Sequence, residues 1–252
     1  MLLALDIGNS NIVIGASLDG DWKHQWRIQT DADETSDQYA MLFKNLFEEA
    51  NLSYGDFNHI IICSVVPQLT STISEVFEKR SHVEPLILNG NVNTGIKVKT
   101  ASPQSVGADL IADSVGAYEV CKDNCIVVDF GTATTLMAVR NPGEMIGGAI
   151  CAGLKVTIDA LVGKAAQLSQ IPIEQPNDVI GANTMDAMKS GLILGHLCMV
   201  EGLIDRMREK MGSAKVVVTG GLSEKVGSYT DYFDVVDPML TLDGLRLIME
   251  RQ

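Results

Sequence analysis

Short apolar runs broken by polar, glycine-containing turns set the pattern at the start of the chain. Leu2-Leu3-Ala4-Leu5 reads as a buried strand that stops at Asp6-Ile7-Gly8-Asn9-Ser10-Asn11. Ile12 to Ala16 follows as a second strand and Trp22 to Ile28 as a third. A tight glycine-containing turn between β-rich runs predicts a hairpin. The period then lengthens. Tyr39, Leu42, Phe43, Leu46 and Phe47 recur at i, i+3, i+4, i+7 and i+8, which predicts a helix capped by Thr35 or Ser36. His59 to Cys63 is a short buried strand stopped at Pro67, and Leu69, Ile73, Val76 and Phe77 predict a second helix.

The same pattern restarts in the second half. Cys125 to Val128 leads into Asp129-Phe130-Gly131-Thr132-Ala133-Thr134-Thr135, and Leu136 to Val139 follows. Leu5-Asp6-Ile7-Gly8 and Val128-Asp129-Phe130-Gly131 are each strand, Asp, apolar residue, Gly. Lys215 to Gly221 then repeats the place that Ile60 to Pro67 holds in the first half. An internal duplication of this kind predicts two like α/β domains facing each other across a cleft. The boundary is expected near residues 115–122, inside a connecting helix, giving domains of 1–117 and 118–252.

Composition narrows the function classes. A chain of 252 residues that is 46% hydrophobic and 20% charged can bury a core and is not disordered. A net charge of -13 argues against broad nucleic-acid binding and against an anionic membrane surface. Phosphate can still be held on an acidic protein by backbone N–H groups and metal ions. The five cysteines, at 63, 121, 125, 151 and 198, form no CxxC pair, which points to reduced thiols. Met1 to Leu5 runs into Asp6 with no basic leader, and no run approaches the ~20 apolar residues of a membrane span. The expectation is a soluble, cytoplasmic protein.

Candidate chemistry lies at the turns. Asp6 stands at a strand end, Gly8 lets backbone approach an anion closely, and Asn9, Ser10 and Asn11 offer neutral donors. Two copies of the Asp-apolar-Gly hairpin fit two phosphate-binding turns facing one nucleotide. Asp6 is then a candidate to hold Mg²⁺, and Thr132 a candidate phosphate contact. Asp109 opens an apolar-periodic segment, Leu110 to Tyr118. It reads either as an acidic residue favourable to the helix dipole or as a base that takes a proton from a substrate hydroxyl. Gly147-Gly148 to Gly153 is expected to open a helix carrying Leu154, Ile158, Leu161 and Val162. A long helix rich in Met, Leu and Gly is expected to run through Met207, with Asn183 or Thr184 at its start either capping it or pointing at a ligand.

Taken in order, these stretches resemble the type III pantothenate kinases along essentially the whole chain. The carrying motifs are Asp6-Ile7-Gly8-Asn9-Ser10-Asn11, Gly107-Ala108-Asp109, Asp129-Phe130-Gly131-Thr132-Ala133-Thr134, Gly147-Gly148-Ala149-Ile150, Asn183-Thr184 and Thr219-Gly220-Gly221-Leu222. Asp237-Pro238 and Leu240 to Leu245 add to them. The resemblance implies a duplicated ribonuclease H-like fold of the actin/Hsp70/sugar kinase class. It implies ATP-dependent phosphorylation of pantothenate, the first step of coenzyme A synthesis, with Mg²⁺ and a monovalent cation, K⁺ or NH₄⁺, in a homodimer. By position, it assigns Asp6, Ile7, Gly8, Asn9, Ser10, Asn11, Ile12 and Val13 to ATP binding with Thr132. It makes Asp109 the base, puts Asp129 in the monovalent-cation site, and lines the pantothenate pocket with Gly107, Ala108, Asp109, Leu110 and Thr184.

Three positions depart from the family pattern. Leu110 stands where an Arg usually follows Gly-Ala-Asp, Thr100 where a Tyr is usual, and Ala152 where a Pro precedes Gly153. An Arg supplies a fixed fork of donors and a Leu none. The phosphate machinery is therefore retained while the acceptor pocket is altered at Thr100 and Leu110. The alternative to a pantothenate kinase is a paralog, either a kinase for another alcohol or a regulatory binding protein.

Overall fold

In the computed structural model, which describes residues 1–252, the opening apolar run forms β1 (Leu2–Ile7), folded back through β2 (Asn11–Leu18) and β3 (Asp21–Gln29). Helix α1 (Ser36–Glu49), strand β4 (His59–Ser64), helix α2 (Pro67–Arg80) and strand β5 (Leu86–Ile87) follow. The two-residue β6 (Lys97–Val98) leads to α3 (Ala108–Cys121). The second series is β7 (Cys125–Phe130), β8 (Ala133–Arg140), β9 (Glu144–Ala152), α4 (Leu154–Lys164), α5 (Thr184–Met188), a π-helical stretch (Lys189–Leu194) and α6 (Gly195–Met211). It closes with β10 (Lys215–Thr219), α7 (Ser223–Val226), β11 (Val235–Val236) and α8 (Leu240–Met249).

The sheets carry the duplication in their connectivity. One has strand order β3-β2-β1-β4-β5; the other has β11-β10-β7-β8-β9-β6. Read from β9, the second repeats the first strand for strand. In both, the first three strands are an antiparallel meander, and the fourth and fifth join parallel to the first. Even the register shift between the second and third strands recurs, at Ala16/Ser17 opposite β3 and at Ala138/Val139 opposite β9. This is the duplicated ribonuclease H-like topology.

Two compact units result. One comprises Met1–Lys97, Ala101–Gly116 and Met239–Gln252; the other comprises Val98–Thr100 and Ala117–Pro238. The sequence reading assigns 118–252 wholly to the second domain, but residues 239–252 pack with the first. The cause is the buried face of α8: Leu242, Leu245 and Ile248 join Ala4, Ile61, Cys63, Ala112 and Val115 in one apolar cluster. Gly244 makes the approach possible, since a Cβ there would collide with the carbonyl of Ala112.

In the first unit Leu3, Leu5 and Ile7 pack under α1 and α2, while Ala4 faces α3 and α8. Alternation along β1 therefore gives the sheet two covered faces. In the second unit Ile126, Val128 and Phe130 pack on Leu154, Ile158, Ile193, Leu197, Val200 and Ile204. Helix α1 begins at a capping box: Thr35 Oγ1 accepts from Gln38 N and Gln38 Oε1 accepts from Thr35 N at 2.9 Å.

Local readings need three corrections. Leu42 is half-exposed and Ala40 takes its place in the core. Gly147 and Gly148 lie inside β9 instead of opening a helix, and only Gly153 stands at a helix start. The helix of 28 residues from Thr184 to Met211 is long and apolar enough to span a membrane by length and composition. Its Met188, Ile193, Leu197, Val200 and Ile204 are core residues of the second unit.

Candidate active site

Asp6 lies on β1 in direct register with Cys63 on the parallel β4. Two-residue alternation puts Asp6 on the same face as Ala4, the face that α3 and α8 cover. Asp109 enters from the first turn of α3, and Asp113 follows one turn later on the same side. Asp113 is 2% exposed, and its Oδ1 accepts a hydrogen bond from Thr241 on α8 at 2.6 Å. Burial pushes the thiol of Cys63 far up, and the negative charges of Asp6, Asp109 and Asp113 push it further. Carboxylates from two elements, β1 and α3, therefore act on one sulfur, which is held as an inert thiol.

Asp109 is the carboxylate of this group whose own pKa is shifted upward. Burial raises its pKa; the backbone N–H of Leu110, donating to Oδ1 at 2.8 Å, and its own N–H pull the other way. Burial is the larger influence, so the group accepts a proton more readily than an exposed Asp.

The turn after β1 is built to present backbone and small polar groups. Gly8 N–H donates to the carbonyl of Asn11 at 3.0 Å, and Thr30 fixes the turn from β3. Its hydroxyl donates to the Gly8 carbonyl at 2.6 Å and its N–H to the Ser10 carbonyl at 3.1 Å. Asn9 and Ser10 are exposed. The side chains of Ile7 and Ile12 are fully buried, so those positions have only backbone to offer a ligand. Val13 packs against the α3–α8 cluster.

The equivalent turn in the second unit closes with Gly131 N–H donating to the Ala133 carbonyl at 3.0 Å, and Gly153 N–H donating to the Thr132 carbonyl at 3.1 Å. Thr132 is exposed at its tip. Asp129 pairs in register with Thr219 of β10, and its Oδ1 lies against Gly220, where φ is 94° and a side chain would collide with that oxygen. Two residues past the turn, buried Thr134 shares a 2.9 Å hydrogen bond with His196 Nε2, just beyond the π-helical stretch.

The remaining predicted site residues divide between the units. Gly107, Ala108 and Leu110 belong to the first, with Leu110 9% exposed and Ala108 packed on the α8 cluster. Thr100 and Thr184 belong to the second. The Thr100 hydroxyl is buried without a hydrogen-bond partner. Thr184 is exposed at the start of α5, where Asn183 is the cap, accepting from Asp186 N–H at 3.0 Å. Sequence reasoning missed Cys63, Asp113 and His196, and it quoted Thr134 and Thr219 within motifs without giving either a role. Of the three missed residues only Asp113 carried a signal, its i+4 spacing from Asp109.

The repeated sheet order and its paired Asp-apolar-Gly turns define a protein of the actin and sugar kinase class. Solved structures agree on the fold. They include MreB 5 of Spiroplasma citri bound to AMPPNP (9% identity, TM-score 0.56, 99% of this chain and 96% of that one). A Campylobacter jejuni structure described as a candidate Baf family transcriptional activator is also similar (20% identity, TM-score 0.62, 99% and 98%). The family model for type III pantothenate kinases matches residues 2–206. Type III pantothenate kinases of Geobacillus kaustophilus and Moorella thermoacetica are each 40% identical over 252 residues, covering 100% of this chain and 98% and 99% of theirs. The chain belongs to the type III pantothenate kinase family, and it is a phosphotransferase by that membership.

Proposed function

We propose that the protein transfers the γ-phosphoryl group of ATP to the primary hydroxyl of pantothenate, giving 4'-phosphopantothenate and ADP at the first step of coenzyme A synthesis. The observation that carries this reading is similarity to type III pantothenate kinases over the full length of the chain. In the transfer, the acceptor oxygen forms a bond to γ-phosphorus, the bond to the ADP oxygen breaks, and Asp109 takes the hydroxyl proton. The turns at Gly8–Asn11 and Gly131–Thr132 hold phosphate oxygens through backbone N–H and small polar side chains. No set of three or more His, Cys, Asp or Glu side chains is arranged to hold a metal ion. A divalent cation is assigned to one or two carboxylates, Asp6 foremost, together with nucleotide oxygens, the mode Mg²⁺ favours. Bound there, Mg²⁺ would neutralise charge on the transferring phosphate.

Asp129 is assigned to a monovalent cation, K⁺ or NH₄⁺. The chain is assigned to a homodimer in the cytoplasm. Ile150, Val179, Ile180 and Met185 of the second unit are exposed apolar side chains, which supports the dimer.

A second reading keeps the reaction and changes the alcohol. Leu110, largely buried, offers no donor to a carboxylate-bearing acceptor, and the unpartnered Thr100 hydroxyl is a different polar contact from the usual Tyr. ADP release in the presence of K⁺, measured with pantothenate, with related alcohols and with no acceptor, separates the readings. Turnover strongest with pantothenate supports the first reading and turnover with another alcohol alone supports the second. ADP release that ignores acceptor contradicts both.

A further inference from the structure

Thr219 ends β10 at 1% exposure, and its hydroxyl oxygen is buried with no hydrogen-bond partner. Leaving such a group unpaired costs stability, so its place here calls for a role. Strand register supplies one. Thr219 and Asp129 are direct partners on parallel strands, so both side chains project from one face. Val216, Val218, Ile126 and Val128 fill the core on the other face. The Asp129 carboxylate leans toward the same strand end, with Oδ1 against the bare α-carbon of Gly220.

A carboxylate and a buried neutral hydroxyl side by side are oxygen ligands only. The carboxylate disfavours an anion, and the two oxygens together suit a hard cation. A single carboxylate balances a single positive charge, and weakly hydrated monovalent ions are held well by neutral oxygens. We propose that Thr219 supplies a neutral oxygen ligand to a monovalent cation bound beside Asp129. The inference rests on the reading that Asp129 belongs to the cation site, and it adds the residue that completes it and sets its affinity.

Thallium(I), a K⁺ surrogate, tests this by calorimetry on the intact protein, independently of turnover. Thermal melts with and without K⁺ provide a second readout. The parent and Thr219→Ser, which keeps the oxygen, should bind alike. Thr219→Val, of the same shape without the oxygen, should bind about tenfold more weakly, the equivalent of one lost polar contact. Asp129→Asn should abolish binding. Without cation, Thr219→Val should melt no lower than the parent, because it loses only an unpaired hydroxyl. With K⁺, the parent should gain more than the variant. Thr219→Ala removes the same oxygen and serves if the Val variant misfolds. If Thr219→Val and Thr219→Ala bind as the parent does while Asp129→Asn does not bind, the role of Thr219 is overturned and the Asp129 reading stands. If the parent binds no thallium(I), or Asp129→Asn binds it unchanged, the Asp129 reading itself fails.

Discussion

A carboxylate in the first turn of a helix ordinarily gains from the helix dipole, which lowers its pKa. At Asp109 burial outweighs that and raises it. Asp109→Asn keeps the shape and removes the acceptor, so turnover should fall by ~10²–10⁴-fold with nucleotide binding retained in calorimetry. A base works deprotonated, so activity of the parent should rise with pH through a midpoint above the ordinary Asp value of 3.8, and the Asn variant should lack that limb. His196 gives the opposite sign. Burial lowers its pKa below the ordinary 6.5, so on acidification the unfolded chain takes up a proton first. Stability should therefore be full above that value and decline as pH falls through the window beneath it. His196→Gln should melt with a flatter pH profile there. Asp6 and Asp109 are legible in the sequence because each closes or opens an apolar run. Cys63 and His196 are not, because strand register and helix packing alone bring them to their neighbours, and Thr219 is visible only as part of a motif, since its register with Asp129 is set by the sheet.

Helices α3 and α8 meet through the hydrogen bond from Thr241 to buried Asp113, next to the close contact of Gly244 with Ala112. Thr241→Val removes one donor from a buried carboxylate and should cost about 1.5–3 kcal/mol in denaturant unfolding. A loss below about 0.5 kcal/mol would mean that the bond does not hold α8 in place. The periodic elements were readable: α1, α2 and the two hairpins follow from the 3.6- and 2-residue patterns. The glycine pair in β9 misleads, because Gly147 and Gly148 resemble a turn while their backbone pairs with β8. The return of α8 to the first unit is invisible locally, since its apolar face fits any core of suitable shape.

At the scale of the whole molecule, the duplication is visible as two Asp-apolar-Gly turns in the sequence and as two sheets of one connectivity in the structure. What local pattern cannot express is that the chain leaves the first unit after Gly116 and re-enters it at Met239. The exposed apolar side chains of the second unit predict a dimer mass by light scattering at micromolar protein, and a monomer mass would remove the homodimer from the account. The central claim is phosphoryl transfer to pantothenate, and it is tested most directly with ATP radiolabelled in the γ-phosphate. With pantothenate, Mg²⁺ and K⁺ present, the account predicts label on pantothenate, in a product that the Asp109→Asn variant makes far more slowly. Label found only in inorganic phosphate, or left on ATP, would contradict it.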